Sequence, residues 1–234
     1  DFTSEKQKAT FIAHNFKGYD GWLIHNHLKL TFGKKPKKIV LAGQKIMFMA
    51  FDNVRFIDSL NFVQSGLDAF PKTFGLDPKI FKKGYFPYKL NIEEFQNYKG
   101  KFPKKKWFET NKMKVSTNHK IGVDCNEKAK CKYCDFNRWY ETQKHITNYD
   151  FQKELEEYCI SDVDILCKSM EVFRDEMMDI CEGLDPLKCI TIASYAMKVY
   201  LTLHAPTEKE LDGEQLEQEE KDKIKQTGIS ILSR

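Results

Sequence analysis

Chemistry in this sequence concentrates on a tyrosine and an aspartate one helical turn apart, Tyr158 and Asp162, in the stretch 154–177, ELEEYCISDVDILCKSMEVFRDEM. On a helix, residues three or four apart share a face. Leu155, Cys159, Leu166, Met170, Phe173 and Met177 then form an apolar stripe suited to a core. Asp162 falls inside that stripe, Tyr158 flanks it one turn earlier, and Asp164 points to the opposite side. A carboxylate on a buried face is costly unless a cation or a hydrogen-bond network meets it. Two readings are open: an Asp held by a neighbouring Arg or backbone amide, or a metal ligand on a rigid helix with a tyrosine hydroxyl aimed at the same point.

A second carboxylate, Asp20, stands where a strand hands over to a helix in FIAHNFKGYDGWLI, five residues after Asn15. Taken alone, Asp20 reads as a plain helix N-cap. Paired with Asp162 it suggests more. Two-metal phosphodiester hydrolysis draws carboxylates from different elements around two Mg²⁺ or Mn²⁺ ions about 4 Å apart. A tyrosine hydroxyl one turn from a ligand can orient the attacking water.

The elements that must position these residues are partly legible. Residues 9–13, ATFIA, suit a buried strand, and residues 14–19, HNFKGY, a loop punctuated by Gly18. From Asp20 the pattern is helical, with Trp22, Leu23, Leu28 and Leu30 as its apolar positions. KIVLA (38–42), KIMFMAF (45–51) and VRFIDS (54–59) are short β-like runs broken by Gly43-Gln44 and Asp52-Asn53, which suggests antiparallel hairpins. Residues 60–74 read as a helix or capped loop stopped by Gly75, and regular periods vanish between 79 and about 120. A long helix is expected over about 150–180 and another over 190–203, followed by a charged tail. This order fits a mixed α/β sheet covered by helices, as in RNase H-like nuclease cores, although many α/β folds share it.

Composition sets the frame. With 234 residues, 41% hydrophobic and 13% aromatic, the chain is globular. A formal charge of +4 permits nucleic acid as a partner without requiring it. Lysines cluster at 34, 35, 37 and 38 and again at 99, 101, 104, 105 and 106, where solvated loops are the simplest reading. No apolar run approaches the roughly 20 residues that span a bilayer. The opening DFTSEKQKAT has neither an initiating Met nor a signal-peptide pattern, so an internal fragment of an intracellular, non-secreted protein is expected. Seven cysteines at scattered spacings point the same way.

Two of these stretches also resemble a known family. His14-Asn15-Phe16-Lys17-Gly18-Tyr19-Asp20 resembles the second exonuclease motif of family B DNA polymerases, and Tyr158-Cys159-Ile160-Ser161-Asp162 resembles their third, Tyr-x-x-x-Asp. The closer likeness is to the protein-primed branch of phage, virus-like transposon (Polinton) and organellar-plasmid polymerases. FIDSLNF (56–62) is similar to the Ser/Thr-Leu single-strand contact motif of that branch. KGYFPYKLN (83–91) is similar to a stretch of its Polinton-like members, and YDFQKELEEYCISDVDIL (149–166) followed by DPLKCITIASYAMKVY (185–200) to its exit towards the palm.

The resemblance implies a 3′→5′ exonuclease domain of RNase H-like fold over 9–182, with an irregular insertion at about 79–148. A connection to the palm over 183–205 and the charged tail over 206–234 would follow. Asp20 and Asp162 would be ligands for Mg²⁺ or Mn²⁺, with Tyr158 orienting water. His14, Asn15, Tyr19, Ser59 and Leu60 would contact the 3′ end of single-stranded DNA, Tyr19 by stacking on a base. Primer-template DNA, the rest of a polymerase chain and a terminal priming protein would be the partners, with no membrane. The family's first motif, Asp-x-Glu on the first strand, has no counterpart here: Asp1 and Glu5 are its only upstream acids and have the wrong spacing. An isolated chain lacking that strand and motif is expected to be inactive. The rival readings are a catalytically silent single-stranded DNA-binding module on the same fold, and a stand-alone RNase H-like nuclease.

Cys125, Cys131 and Cys134 lie in the insertion, with His119 and His145 nearby. Three thiolates need a fourth ligand to close a tetrahedral zinc site. Zinc and incidental reduced thiols are both open, and the second is the expectation. Cys159, Cys167, Cys181 and Cys189 read as small core residues.

Overall fold

The computed structural model describes residues 9–81, 83–113, 115 and 131–205. In chain order these form β1 (Ala9–Ala13), α1 (Asp20–Phe32), β2 (Lys38–Ala42), β3 (Lys45–Phe51), β4 (Val54–Asp58), α2 (Phe70–Thr73), β5 (Lys99–Gly100), α3 (Lys132–Gln143), β6 (Tyr149–Asp150), α4 (Phe151–Ile180) and α5 (Ile192–Val199). The chain divides into two compact units, one of residues up to 66 with those from 169 onward, the other of residues 67–168.

The first unit is built on a mixed four-stranded sheet in the order β1-β4-β3-β2. β2, β3 and β4 are successive antiparallel strands, and β1 lies parallel to β4 from Ala9↔Val54 to Ala13↔Asp58. The two hairpin turns place Gly43 (φ 59°) and Asp52 (φ 31°) in the left-handed region, where Gly and Asp are the tolerant residues. The result is a mixed α/β fold with helices flanking the sheet, compatible with the RNase H-like class. Phe16, Ile46, Met49 and Phe51 form its core, with Ala13, Ile24, Leu28 and Phe56 packed against them.

Of the four apolar positions marked in α1 by the sequence, Leu28 packs on the core and Leu23 and Leu30 do not. Gly21, Ile24 and Leu28 face the core, whereas Leu23 and Leu30 are 63% and 82% exposed. Gly21 decides this phase. A Cβ there would lie 3.2 Å from both Ile46 Cβ and Phe16 Cε1, so only glycine lets the start of α1 approach β3 this closely. Trp22 instead reaches the β2–β3 turn and donates its indole N–H to the Gln44 carbonyl at 2.9 Å.

The C-terminal part of the same unit is tied down by polar contacts. Arg55 on β4 donates to the carbonyls of Leu187 (2.5 Å) and Lys188 (3.3 Å) and to Thr10 Oγ1 (2.7 Å). Asp185 pairs with Arg174 at 2.9 Å and caps Leu187 N–H. α5 begins with a capping box formed by Thr191 and Ser194, and Tyr195 is buried with its hydroxyl 3.1 Å from the Met177 carbonyl.

The second unit has little regular backbone but an aromatic core. Phe86, Leu90, Tyr149 and Phe151 are buried, with Phe95, Tyr98, Phe102, Trp107, Leu155 and Tyr158 around them. The stretch 79–148, expected to be irregular throughout, contains α3. Phe136 and Tyr140 on α3 pack with Phe108, and Trp139 packs with Phe102 and Tyr85. β5 and β6 close a short antiparallel pair, with Lys99 paired to Asp150 at 2.7 Å.

Candidate functional site

In the first unit, β1 and β4 run parallel and end together at the Ala13↔Asp58 pair. The loop 14–19 and the turn 59–61 therefore leave the same edge of the sheet, the carboxyl end where open α/β sheets place ligands. Asp58 is fully buried. Its Oδ1 accepts the backbone N–H groups of Asn15 (3.0 Å) and Leu60 (2.9 Å), and its Oδ2 that of Lys17 (3.1 Å). Asn15 adopts a left-handed backbone, φ 63°, a conformation that Asn tolerates better than most residues.

Around this centre lie the sequence-predicted contacts. His14 Nδ1 is 2.9 Å from Ser59 Oγ. Ser59 is fully buried beneath it and Leu60 half-buried, while Asn15 and Tyr19 are exposed, Tyr19 by 72%. Lys17 Nζ is held by Asn61 Oδ1 at 3.4 Å. Asp20 is the first residue of α1 and not its cap: Tyr19 holds the N-cap position and no side chain caps the helix. Its carboxylate is thus not spent on the helix end, contrary to the plain N-cap reading.

In the second unit, the inner face of α4 carries Phe151, Leu155, Tyr158, Asp162 and Ile165. The expected stripe included Cys159 and Leu166. Cys159 is exposed, as is Cys167, so neither is a core residue. The spacing 151, 155, 158, 162, 165 makes Asp162 a seam position in its own right.

Asp162 has 23% of its side chain exposed, and its Oδ2 is 2.7 Å from Lys83 Nζ. Its Oδ1 is buried with no hydrogen-bond partner among the described residues. The same ammonium lies 5.2 Å from the centroid of the Tyr158 ring, within cation–π range. The Tyr158 and Tyr88 hydroxyls are hydrogen-bonded to each other. Burial, aided by the Asp162 charge, pushes the Tyr158 phenol up to about 12 against the opposing effect of Tyr88. Tyr88 is raised as well, by burial and then by its bond to Tyr158. Both phenols therefore keep their protons at neutral pH and remain donors.

The sequence reading assigned no role to Lys83 or Tyr88. The signal was present, because a seam Asp calls for a cation, and KGYFPYKLN is the stretch that supplies one. Asp20 with the loop 14–19 and the turn 59–61 belongs to the first unit, and Tyr158 and Asp162 to the second. Cys131 and Cys134 are buried at the start of α3; Cys125 and His119 lie outside the described residues. Among the described residues, no three His, Cys, Asp or Glu side chains are grouped to hold a metal ion. No helix among them is long and apolar enough to cross a membrane.

Comparison with known proteins places the chain. The family of type B DNA polymerases, organellar and viral, matches residues 2–228. A probable DNA polymerase of Ascobolus immersus is 26% identical over 216 residues, which cover 85% of this chain and 16% of that protein. No solved structure matches. Since the family match runs over nearly all of its length, this chain belongs to the organellar and viral type B DNA polymerases.

Proposed function

We propose that the chain is the 3′→5′ proofreading exonuclease domain of a protein-primed type B polymerase, acting on the 3′ end of single-stranded DNA. The observation that carries this reading is the state of Asp162: a carboxylate on the inner face of a long helix, with one oxygen on Lys83 and the other buried beside Tyr158 with no hydrogen-bond partner among the described residues. An unpartnered buried polar atom costs about 1–3 kcal/mol, so this oxygen calls for a partner that the described residues do not supply. The family match and the order of the motifs support the assignment. Primer-template DNA and a terminal priming protein would be its partners in a complete polymerase.

Each residue has a role in this reading. The loop 14–19 and the turn 59–61 receive the strand. Tyr19, the most exposed aromatic of the loop, stacks on a base, a contact worth about 1–3 kcal/mol. His14 and Asn15 meet the terminal sugar and phosphate, with Ser59 acting through His14 and Leu60 packing against the terminal nucleotide. Tyr158, kept as a neutral phenol, directs a water molecule, and Lys83 supplies positive charge beside Asp162.

Two-metal hydrolysis asks for several convergent carboxylates. The family resemblance assigns Asp20 and Asp162 as ligands, and among the described residues no three His, Cys, Asp or Glu side chains are grouped to complete such a set. With no counterpart of the family's Asp-x-Glu motif in its sequence, the isolated chain is expected to bind the single strand without cutting it. This shortfall also favours a second reading, a silent single-stranded DNA-binding module. A fluorescent oligothymidylate, titrated with the chain in EDTA and then incubated with Mn²⁺, tests both. Binding that weakens as salt rises, with no cleavage, is expected. Metal-dependent shortening abolished by Asp162→Ala would show that the carboxylate set is complete, and absence of binding would remove the assignment.

A further inference from the structure

We propose that Asp58 is the positioning residue of the strand-binding edge, a role that rests on the reading of that edge as the receptor for a DNA 3′ end. Asp58 is 0% exposed, and its partners are main-chain amides. The three N–H groups come from two segments more than forty residues apart in sequence. A carboxylate is the only side chain of this length that accepts on both oxygens. Asn in its place has one acceptor and one donor. Asp58 therefore joins the loop after β1 to the turn after β4 as one unit.

The bonds also fix particular backbone geometry. The amide of left-handed Asn15 is held on Oδ1, and Lys17 on Oδ2 sets the entry to the Gly18 turn, closed by Gly18 N–H on the Asn15 carbonyl at 2.8 Å. Leu60 N–H, on the same Oδ1 as Asn15, sets the register in which Ser59 meets His14. The residues proposed to touch the strand thus owe their relative placement to one buried acid that touches no DNA itself.

The test compares the chain with Asp58→Asn, with Tyr195→Phe as a destabilised control in the same unit but outside this edge. The probe is a fluorescein-labelled twelve-residue oligothymidylate in EDTA, read alongside thermal melting and amide hydrogen exchange. In Asp58→Asn an NH₂ group must face at least one of the three backbone donors. Affinity is expected to fall about ten-fold, the scale of one charge-assisted hydrogen bond lost at the site, with faster exchange at Asn15 and Lys17 and unchanged exchange in β3. Tyr195→Phe should bind as the unsubstituted chain does, even where its melting temperature is equally lowered. Equal affinity loss in both variants, or unchanged exchange at Asn15 and Lys17, overturns the proposal. If the unsubstituted chain binds no oligonucleotide, the DNA-end reading fails, and the exchange data alone decide whether Asp58 sets the loop. Should Asp58→Asn not fold, exchange in the unsubstituted chain decides: protection of Asn15 and Lys17 at the level of β4 is expected, and loop-like exchange overturns it.

Discussion

Lys83 and Asp162 form an ion pair of 2.7 Å in which both side chains are about three-quarters buried, 27% and 23% exposed. Such a pair adds little net stability, because desolvation offsets most of its Coulomb gain, yet removal of one partner strands the other. Lys83→Met should therefore destabilise the chain by about 1–3 kcal/mol, reduced from the fully buried case by the residual solvent contact. Lys83→Met combined with Asp162→Asn should recover much of the loss. Urea unfolding of the two single variants and the double gives the coupling; additive losses would show that the pair is not coupled.

The raised phenol of Tyr158 gives a pH dependence of definite sign. Its ordinary value is 10.0, and burial takes it to about 12 in the folded chain. Below pH 10 both folded and unfolded states hold the proton. Between 10 and about 12 the unfolded chain releases it and the folded chain does not, so stability falls as pH rises through that window. Tyr158→Phe should flatten this part of the stability–pH curve, read by urea unfolding at several alkaline pH values. An unchanged slope would place the titration elsewhere, on Tyr88 or Tyr149, which are raised too.

The regular elements were legible because their signals are local. The hairpins announced themselves through Gly43 and Asp52, and the long helix through its period. What the sequence hid depends on contacts between distant segments. Asp58 reads as one more polar residue at the end of β4 until Asn15 and Lys17, on another strand's exit, are seen to donate to it. Lys83 sits seventy-nine positions from the carboxylate it pairs with. The helix α3 was missed for another reason: Phe136, Trp139 and Tyr140 have helical spacing, but the lysines and glycines upstream made the whole region read as loop. In α1, the sequence pattern marked Trp22, Leu23, Leu28 and Leu30 as the apolar positions. The core side is set instead by the smallest residue, Gly21, because close approach to β3 requires it.

That close approach is itself testable. Gly21→Ala gains about 1 kcal/mol of helix propensity, but its Cβ would meet Ile46 Cβ and Phe16 Cε1, each at 3.2 Å. Overpacking of this kind costs about 1–3 kcal/mol, so a net loss is expected. Because Asp20 is the adjacent residue, the start of α1 should shift with it. Urea unfolding measures the first effect, and the amide shifts of residues 19–22 report the second. A stabilised variant would mean that the helix can move away from β3 without cost.

The nuclease reading meets its sharpest test in a polymerase that carries this domain, through three substitutions on one helix. Asp162→Ala removes the carboxylate at the centre of the proposed site and should abolish exonuclease activity. Tyr158→Phe keeps the ring, its packing and its place over the Lys83 ammonium, but removes the hydroxyl bonded to Tyr88. Loss of a group that positions water typically costs about 10²–10⁴-fold, so a smaller decrease in turnover is expected, with DNA affinity retained. Asp164 is exposed on the outer face of the helix, and Asp164→Ala should leave the activity intact. Strand extension should survive all three, since polymerisation would use a separate site. The comparison is read as degradation of a single-stranded, end-labelled primer beside extension of a paired one. If Asp164→Ala disables degradation as thoroughly as Asp162→Ala does, the inner face of α4 does not hold the reactive centre, and the role given to Lys83 and Tyr158 falls with it.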